Sequence, residues 1–220
     1  MVKSIVIVGG SSDIAKSTIS SISTENYKFH ALVRDDSHTD ELSDLGVNVI
    51  LGDATSEEDI KNFISGVKES GEIHAILHCV GSFAVRPPHA MNKEAFEAVI
   101  STNLTSAFLT LSIAGKAMLS QGHGRMVFMS SVAGSLGLVN HEAISAAKGG
   151  IESMVRSAAA TYANRGLRIN AVAPGLTDTK LASPIMSNET ASQAASQKIP
   201  IKRVGSLSLI HISEPTRQAS

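Results

Sequence analysis

The sequence predicts an α/β protein with a doubly wound parallel sheet and a layer of helices on each face. Short apolar runs alternate with longer amphipathic stretches, which is the pattern of βαβ units. The apolar runs are continuous rather than alternating with polar residues, which indicates strands that are buried on both faces. Neither a repeat nor a linker interrupts this pattern, so we expect one domain over residues 1–205.

The same pattern places six strands and the helices between them. We expect strands at 4–9, 27–33, 47–52, 73–80, 124–131 and 167–175. We expect helices at 13–23, 56–69 and 141–164, with helix signals at 92–120 that break near Asn103. A short polar helix is expected between the second and third strands.

The last stretch, residues 206–220, departs from this pattern. Its sequence, SLSLIHISEPTRQAS, has little helical periodicity and no evident place in a parallel sheet. It is either a native, poorly ordered end or non-native sequence joined to an incomplete gene.

Composition and charge exclude several classes of function. The chain has 220 residues, of which 43% are hydrophobic and 18% charged, and its net charge is −1. Scattered basic residues give no field for nucleic acid or an anionic membrane, so neither is expected as a partner. Cys79 is the only cysteine, which excludes an internal disulfide and fits a reducing, cytoplasmic compartment. No His/Cys cluster indicates a metal site, and the apolar amino terminus is too short to cross a membrane.

The first strand ends in a Gly/Ser turn that leads into a helix. Gly9, Ser11, Ser12 and Ile14 lie in this turn and at the helix start. Backbone N–H groups of such a turn, together with the positive end of the helix, bind a pyrophosphate. Asp13 stands in the same turn, where its carboxylate either caps the helix or, if it faces the ligand, weakens binding.

The residue that closes the second strand selects the dinucleotide in such folds. An acid there bonds the ribose hydroxyls of NAD, whereas a basic residue nearby neutralises the 2′-phosphate of NADP. The chain has Val33 at this place and Arg34 directly after it, which favours NADP(H) over NAD(H). In the alternative interpretation, Arg34 is a surface residue paired with Asp35 or Asp36.

Four further motifs extend this pattern through the second half of the chain. They are STNLTSAF around Asn103, FMSSVAGS around Ser131, AAKGGIESMVRSAA around Lys148, and NAVAPGLTDT at 170–179. Together with the first turn they resemble the short-chain dehydrogenase/reductase family over residues 1–205. The resemblance implies a Rossmann-type fold and an oxidoreductase that moves a hydride between a nicotinamide and a small carbonyl or alcohol. The family continues with a helix and a seventh strand after Gly205, so we expect a sheet truncated at its carboxyl-terminal end.

The resemblance implies catalytic roles for three residues. Asn103 would hold a water of the proton relay, Ser131 would hold the substrate oxygen, and Lys148 would bind the nicotinamide ribose. Judged by residue type alone, the asparagine serves equally as a helix-bend residue, the serine as a turn residue and the lysine as a solvated surface residue.

The family's proton donor, a tyrosine four residues before the lysine, is replaced by Ile144. An isoleucine neither donates nor accepts a proton, and no shift of register brings a tyrosine to this position. His141 is the first candidate for a displaced acid, because it lies three residues before Ile144 and seven before Lys148 on one helical face. In the alternative interpretation His141 is a polar residue near the helix start, and substrate or water oriented by Ser131 supplies the proton.

The resemblance also implies further cofactor contacts and a substrate lid. Asp53 would contact the adenine, Gly81 would let the backbone approach the cofactor, and Pro174, Gly175 and Thr179 would lie over the nicotinamide. Residues 180–198 would form a mobile lid, rich in Ser and Ala, for a small or moderately apolar ligand.

Two functions follow from these observations. The first is an oxidoreductase whose chemistry is altered or impaired at Ile144, and the second is a nucleotide-binding or partner-binding pseudoenzyme without turnover. By analogy with the family, either would form a homodimer or homotetramer through the helices near 104–120 and 142–164.

Overall fold

The six predicted strands form one parallel sheet. The structure of the chain is a computed structural model that describes residues 3–22 and 26–211. The strands within these residues are β1 (Lys3–Val8), β2 (Tyr27–Val33), β3 (Val47–Leu51), β4 (Ile73–His78), β5 (Gly124–Met129) and β6 (Leu167–Val172). Their order is β3-β2-β1-β4-β5-β6, and all neighbouring strands run parallel. This order confirms the predicted doubly wound, Rossmann-type sheet.

Helices cover both faces of the sheet, which confirms the three-layer architecture. They are α1 (Asp13–Ser21), α2 (Thr39–Asp44), α3 (Glu57–Ser70), α4 (Lys93–Ile100), α5 (Ser106–Gln121), α6 (Glu142–Tyr162), α7 (Ser183–Met186), α8 (Glu189–Lys198) and α9 (Ser208–His211). A π-helical segment, Ser101–Thr105, joins α4 to α5.

Successive residues of β1 alternate between two hydrophobic clusters. Val6 and Val8 pack with α3, α5 and α6 on one face, whereas Ile5 and Ile7 pack with α1 and α2 on the other. A strand with both faces buried in this way must be apolar throughout, which explains the continuous hydrophobic run in the sequence.

The helical stretch Lys93–Gln121 is long and apolar enough to cross a membrane, by length and composition only. In the structure α5 instead buries Ala107, Leu111 and Met118 in the cluster beneath the sheet. We therefore describe α5 as a core helix, whose hydrophobic composition follows from its position between the sheet and α3.

Five strands end earlier than their apolar runs predict: β1 and β3 by one residue, β4 and β5 by two, and β6 by three. Beyond β4, Cys79 N donates to Val8 O at 2.8 Å, and beyond β5, Ser130 N donates to Val172 O at 2.7 Å. The residues that follow leave the sheet and line the cavity described below. The apolar runs extend beyond the strand ends because the turn residues that follow the strands are also partly buried above the edge of the sheet.

The domain boundary at residue 205 stays a prediction. Gly205 pairs with Thr177 in an isolated parallel bridge, which brings together the two ends of the segment that contains α7 and α8. Within the expected tail, residues 208–211 form α9, and residues 212–220 lie outside the described residues.

Candidate active site

A large cavity opens at the carboxyl ends of the strands. The strand order reverses between β1 and β4, and a crevice at such a point is where ligands bind in open α/β sheets. The cavity has a volume of about 2280 Å³, compared with roughly 300–1,000 Å³ for common ligand pockets. It therefore has room for a dinucleotide and a second small molecule. No group of three His, Cys, Asp or Glu residues suited to a metal ion occurs among the residues described.

The Gly/Ser turn after β1 lies at one end of this cavity. Gly9, Ser11, Ser12 and Ile14 all line it. Gly9 has a φ of +86°, and a Cβ there would lie 2.9 Å from the backbone nitrogen of Val80. Only glycine suits this close, left-handed position. The turn thus leaves backbone N–H groups and the start of α1 facing the cavity.

Asp13 does not cap α1. Ser12 is the N-cap residue, and its Oγ accepts a hydrogen bond from Ala15 N at 3.1 Å. The Asp13 carboxylate instead accepts from Lys180 N at 2.6 Å and lies 3.8 Å from Lys16 Nζ. It therefore ties the nucleotide turn to the first residue of the predicted lid, and the neighbouring ammonium partly offsets its charge.

The end of β2 presents a basic side chain to the cavity. Arg34 and Asp35 both line it, but Asp35 accepts hydrogen bonds from the backbone N–H and hydroxyl of Ser37. These bonds lower the pKa of the Asp35 carboxyl. Among the described residues Arg34 forms no ion pair, although its charge also contributes to the lowered pKa of Asp35.

Asp53 lines the cavity beyond β3 and also shapes its own turn. Its Oδ1 accepts from the backbone N and the Oγ1 of Thr55, both at 2.8 Å. A carboxylate has a second oxygen that can accept a hydrogen bond, so Asp53 can shape its turn and also contact a ligand.

Asn103 lies in the π-helical segment and is fully buried. Its Nδ2 donates to Val99 O and to Ser82 Oγ, both at 2.9 Å, and Ser82 N donates to its Oδ1 at 3.3 Å. A π-bulge adds one residue to a helical turn and often occurs at functional sites. The break predicted near this residue is therefore a change of helix type, which leaves a carbonyl for the amide to bind.

Lys148 projects from α6 into the floor of the cavity and is only 7% exposed. Its Nζ donates to Met129 O at 2.8 Å, which leaves two of its three donors for a ligand. Burial lowers the pKa of this ammonium to about 8. Gly81 brings the backbone close, because a Cβ there would lie 3.3 Å from Asn103 Oδ1 and 3.6 Å from Lys148 Nζ.

Ser131 follows β5 on a loop that is fastened to α6. Its own Oγ accepts from Ala133 N at 3.2 Å. Glu152 holds both sides of the loop, because Ser130 Oγ lies 2.8 Å from one carboxylate oxygen and Ser135 Oγ donates to the other at 2.7 Å. Since Glu152 is one turn beyond Lys148 on the same face, these bonds set the serine loop relative to the lysine.

Ile144, the residue predicted to stand in place of the family's tyrosine, is a buried apolar residue. It packs with Val99, Ala133 and Ala147, and it lines the same cavity as Ser131. No polar atom stands at this position to exchange a proton.

His141 lines the same cavity but precedes α6 rather than lying within it. As the N-cap residue, His141 stands at the very start of the helix, where its backbone oxygen accepts from Ser145 N at 2.7 Å. Its Nδ1 lies 2.7 Å from Val139 O. A carbonyl can only accept a hydrogen bond, so this contact places a proton on Nδ1. Nε2 is then the ring nitrogen that can exchange a proton with a ligand.

His78, the last residue of β4, and Cys79, which follows it, are packed rather than reactive. His78 is fully buried, with Nε2 3.0 Å from Ser106 Oγ, and burial lowers its pKa to about 3. Burial raises the pKa of the Cys79 thiol to about 12. Both groups are therefore neutral near pH 7, and neither supplies an acid or a nucleophile.

The segment after β6 completes the cavity. Pro174, Gly175 and Thr179 line it, and Thr179 Oγ1 accepts from Ala182 N at 3.3 Å at the start of a helical turn. Residues 180–198, the predicted lid, contain α7 and α8 and contribute Ile185 and Ala191 to the lining. All the predicted site residues thus line one cavity.

Sequence reasoning missed Ser82, Ser130 and Glu152. Glu152 carried a signal, since it lies four residues after Lys148 on one helical face. Ser82 and Ser130 carried none, because their partners come from other elements of the fold.

Comparison with known proteins agrees with this architecture. A family model described as enoyl-(acyl carrier protein) reductase matches residues 9–211. The 3-oxoacyl-(acyl-carrier-protein) reductase MabA of Mycobacterium bovis is 30% identical over 204 residues, covering 92% of this chain and 80% of MabA. The chain therefore belongs to the short-chain dehydrogenase/reductase family, a family of oxidoreductases.

Two further relatives illustrate the range of the family. A cis-4-hydroxycyclohexanecarboxylate dehydrogenase of Sinomonas cyclohexanicum is 35% identical over 149 residues, covering 67% of this chain and 60% of that enzyme. The structure of ElxO with NADP bound superposes with a TM-score of 0.87 at 22% identity, over 99% of this chain and 93% of ElxO. The likeness to ElxO establishes the fold alone.

Proposed function

We propose that this chain is an NADP(H)-dependent oxidoreductase that acts on a small carbonyl or alcohol, with Ile144 in place of the proton-donating tyrosine. The observation that carries the proposal is the shared cavity. Asn103, Ser131 and Lys148 come from three different elements and line it together, beside the backbone of Gly81. If these three residues had only structural roles, nothing would require them to line the same crevice at the point where the strand order reverses.

The chain has suitable groups for each part of the dinucleotide. The N–H groups after Gly9 and the start of α1 suit the pyrophosphate, and Arg34 suits a 2′-phosphate. The two remaining donors of Lys148 suit the ribose hydroxyls near the nicotinamide. ElxO, which has the same fold, is known with NADP bound. When bound, the dinucleotide would supply or accept the hydride.

The residues of this chain would then orient the substrate. Ser131 would donate a hydrogen bond to the carbonyl oxygen, and Glu152 would keep its loop in place through Ser130 and Ser135. Asn103, held by Ser82, would keep a water near Lys148 for proton relay. These groups position the reacting atoms but leave one proton transfer without the usual side chain.

We propose His141 as the first candidate for that proton. Because Nδ1 faces Val139 O, the other nitrogen, Nε2, would give its proton to the substrate oxygen in reduction when the ring is charged. In the reverse direction the neutral Nε2 would accept a proton from an alcohol. Water oriented by Ser131 is the alternative donor.

Ile144 itself favours a second candidate function, a nucleotide-binding protein without turnover. Its side chain is buried among apolar neighbours, so the position offers no proton and excludes water from the place of a phenol. Such a protein would keep the dinucleotide contacts of Arg34 and Lys148 while performing no reduction.

One experiment distinguishes these candidates. The protein would be titrated with NADPH and NADH, then tested with NADPH for turnover of a panel of ketones and aldehydes. We expect NADPH to bind more tightly than NADH and turnover to be slow but measurable. We expect His141→Ala to reduce turnover without changing NADPH affinity. Binding without turnover supports the second candidate, and absence of nucleotide binding contradicts both.

The assembly of the chain is part of the same proposal. We propose a homodimer or homotetramer that pairs through α5 and α6, as the family resemblance implies. Phe108, on α5, is 56% exposed and is available for such a contact. Light scattering at several protein concentrations tests this, and a monomer at all of them contradicts it.

A further inference from the structure

The cavity beside Ile144 has an exposed apolar wall. Phe83 and Val85 lie on the loop after β4, and Leu136 and Val139 lie on the loop before α6. These four side chains, here called the apolar wall, are 38%, 37%, 58% and 73% exposed, and all of them line the cavity. The wall therefore continues the apolar surface of Ile144 towards solvent.

Exposed hydrophobic side chains are concentrated around this cavity. Within the described ranges, ten large hydrophobic residues are exposed. Seven of them line the cavity, namely the four of the apolar wall with Leu181, Ile201 and Leu209. A soluble domain seldom leaves contiguous apolar surface open unless it is a binding site. The distribution thus points to an apolar occupant of the cavity.

The apolar wall is held in place before any ligand arrives. Arg86 N donates to Asn140 O at 2.8 Å, which joins the two loops that carry the wall. Leu136 N donates to Val132 O at 2.8 Å, and Ala84 and Leu138 pack into the cluster around Ile144. A preformed surface of this kind binds without a large ordering cost.

The wall also has no acidic group. The carboxylates that line the cavity are those of Asp13, Asp35, Asp53 and Glu152. The three aspartates follow β1, β2 and β3, at the nucleotide end, and Glu152 is bonded to Ser130 and Ser135. The wall thus offers apolar contact and neither attracts nor pairs with a cation.

We propose that the apolar wall binds the carbon skeleton of the substrate, which is therefore a ketone or secondary alcohol with an extended aliphatic or alicyclic part. This inference rests on the proposed function, since it places the substrate oxygen at Ser131. The oxygen is bound by the serine loop while the skeleton lies across Val85, Leu136 and Val139. Ile185 and Ala191 of the lid face the same cavity and add apolar contact.

The test measures binding rather than turnover. Protein saturated with NADP+, which cannot reduce a ketone, is titrated by calorimetry with a series of straight-chain 2-ketones from butanone to decanone. The dissociation constant is expected to fall up to roughly fourfold for each added methylene, until the wall is covered.

Matched variants locate the effect. Leu136→Ser and Val139→Ser are expected to weaken binding of octanone by roughly three- to tenfold and to flatten the chain-length series, with NADPH affinity unchanged. Phe96→Ser is the control, because Phe96 on α4 is exposed to a similar degree as Phe83 but does not line the cavity. It is expected to leave the series as in the wild type.

The result separates this inference from the proposed function. If NADPH does not bind, the proposed function itself fails. If NADPH binds but ketone affinity is independent of chain length, or if Phe96→Ser has the same effect as Leu136→Ser, the apolar wall is not the substrate site and the inference is overturned.

Discussion

At the ends of β1 and β2 the cavity is lined by hydroxyls, backbone N–H groups and Arg34, whereas around Ile144 it is lined by aliphatic side chains. The first region keeps a polar group for each part of a dinucleotide. The second has Ser131 and Asn103 at its border, but the Ile144 side chain has no group that can exchange a proton. The groups suited to a dinucleotide are thus spread over several turns, whereas a proton donor would have to be a single group near Ile144, so the two parts of the proposed function can be tested separately.

Introducing a phenol at position 144 tests most directly whether a proton donor is what the region around Ile144 lacks. We expect Ile144→Tyr to raise ketone turnover by roughly 10²–10⁴-fold, the usual contribution of a general acid. Steady-state assays with NADPH measure this. The matched control is Ile144→Phe, which introduces the same ring without the hydroxyl and carries the same packing strain in a filled cluster.

The outcome of this pair is informative in both directions. Equal turnover in the Tyr and Phe variants would show that the proton already comes from elsewhere, with His141 as the first residue to remove. A gain confined to the Tyr variant would show that only the acid was missing.

Lys148 lies between the two regions, and its burial predicts that the free energy of unfolding depends on pH. Its pKa is about 8 when folded, below the value of 10.5 for a free lysine. Between these values the unfolded chain binds more protons, so the free energy of unfolding rises with pH across this window. The rise is expected to be on the order of 3 kcal/mol between pH ~8 and ~10.5.

Urea denaturation of wild type and Lys148→Met over this pH range measures the effect. The Met variant is expected to lack the rise and to be the more stable protein at pH 7, while binding NADPH more weakly. Lys116→Met, on the exposed side of α5, should keep the wild-type pH dependence. A Met variant that is less stable at pH 7 would show that the bond to Met129 O outweighs the burial of charge.

Within the nucleotide region, Arg34 sets the expected preference for the phosphorylated cofactor. Arg34→Ala should weaken NADPH binding by roughly ten- to a hundredfold, because one charge-assisted bond to a phosphate is lost. NADH binding should change little. Arg168→Ala, exposed on β6 and away from the cavity, is the control, and equal losses for both cofactors would show that Arg34 does not contact the 2′-phosphate.

The sequence predicted the sheet because continuous apolar runs indicate buried parallel strands. It indicated Asn103, Ser131 and Lys148 as one site only through the resemblance of their motifs to the family, since Asn103 and Lys148 lie on helical segments rather than directly after strands. The contact between Asp13 and Lys180 could not be predicted in this way, since its partners are 167 residues apart. The same holds for Ser82, which reaches Asn103 only through tertiary packing.

The smallest expected effect concerns that unpredicted contact. Asp13→Asn keeps an oxygen that can accept from Lys180 N, but it removes a negative charge beside the pyrophosphate turn. We expect NADPH to bind about two- to fivefold more tightly, and the gain to shrink at high salt because exposed charges are screened. Asp44→Asn, an exposed carboxylate at the end of α2, is the control for net charge. Weaker binding in Asp13→Asn would mean that the carboxylate's bond to the lid matters more than its charge, and lid and nucleotide turn would then have to be regarded as one unit.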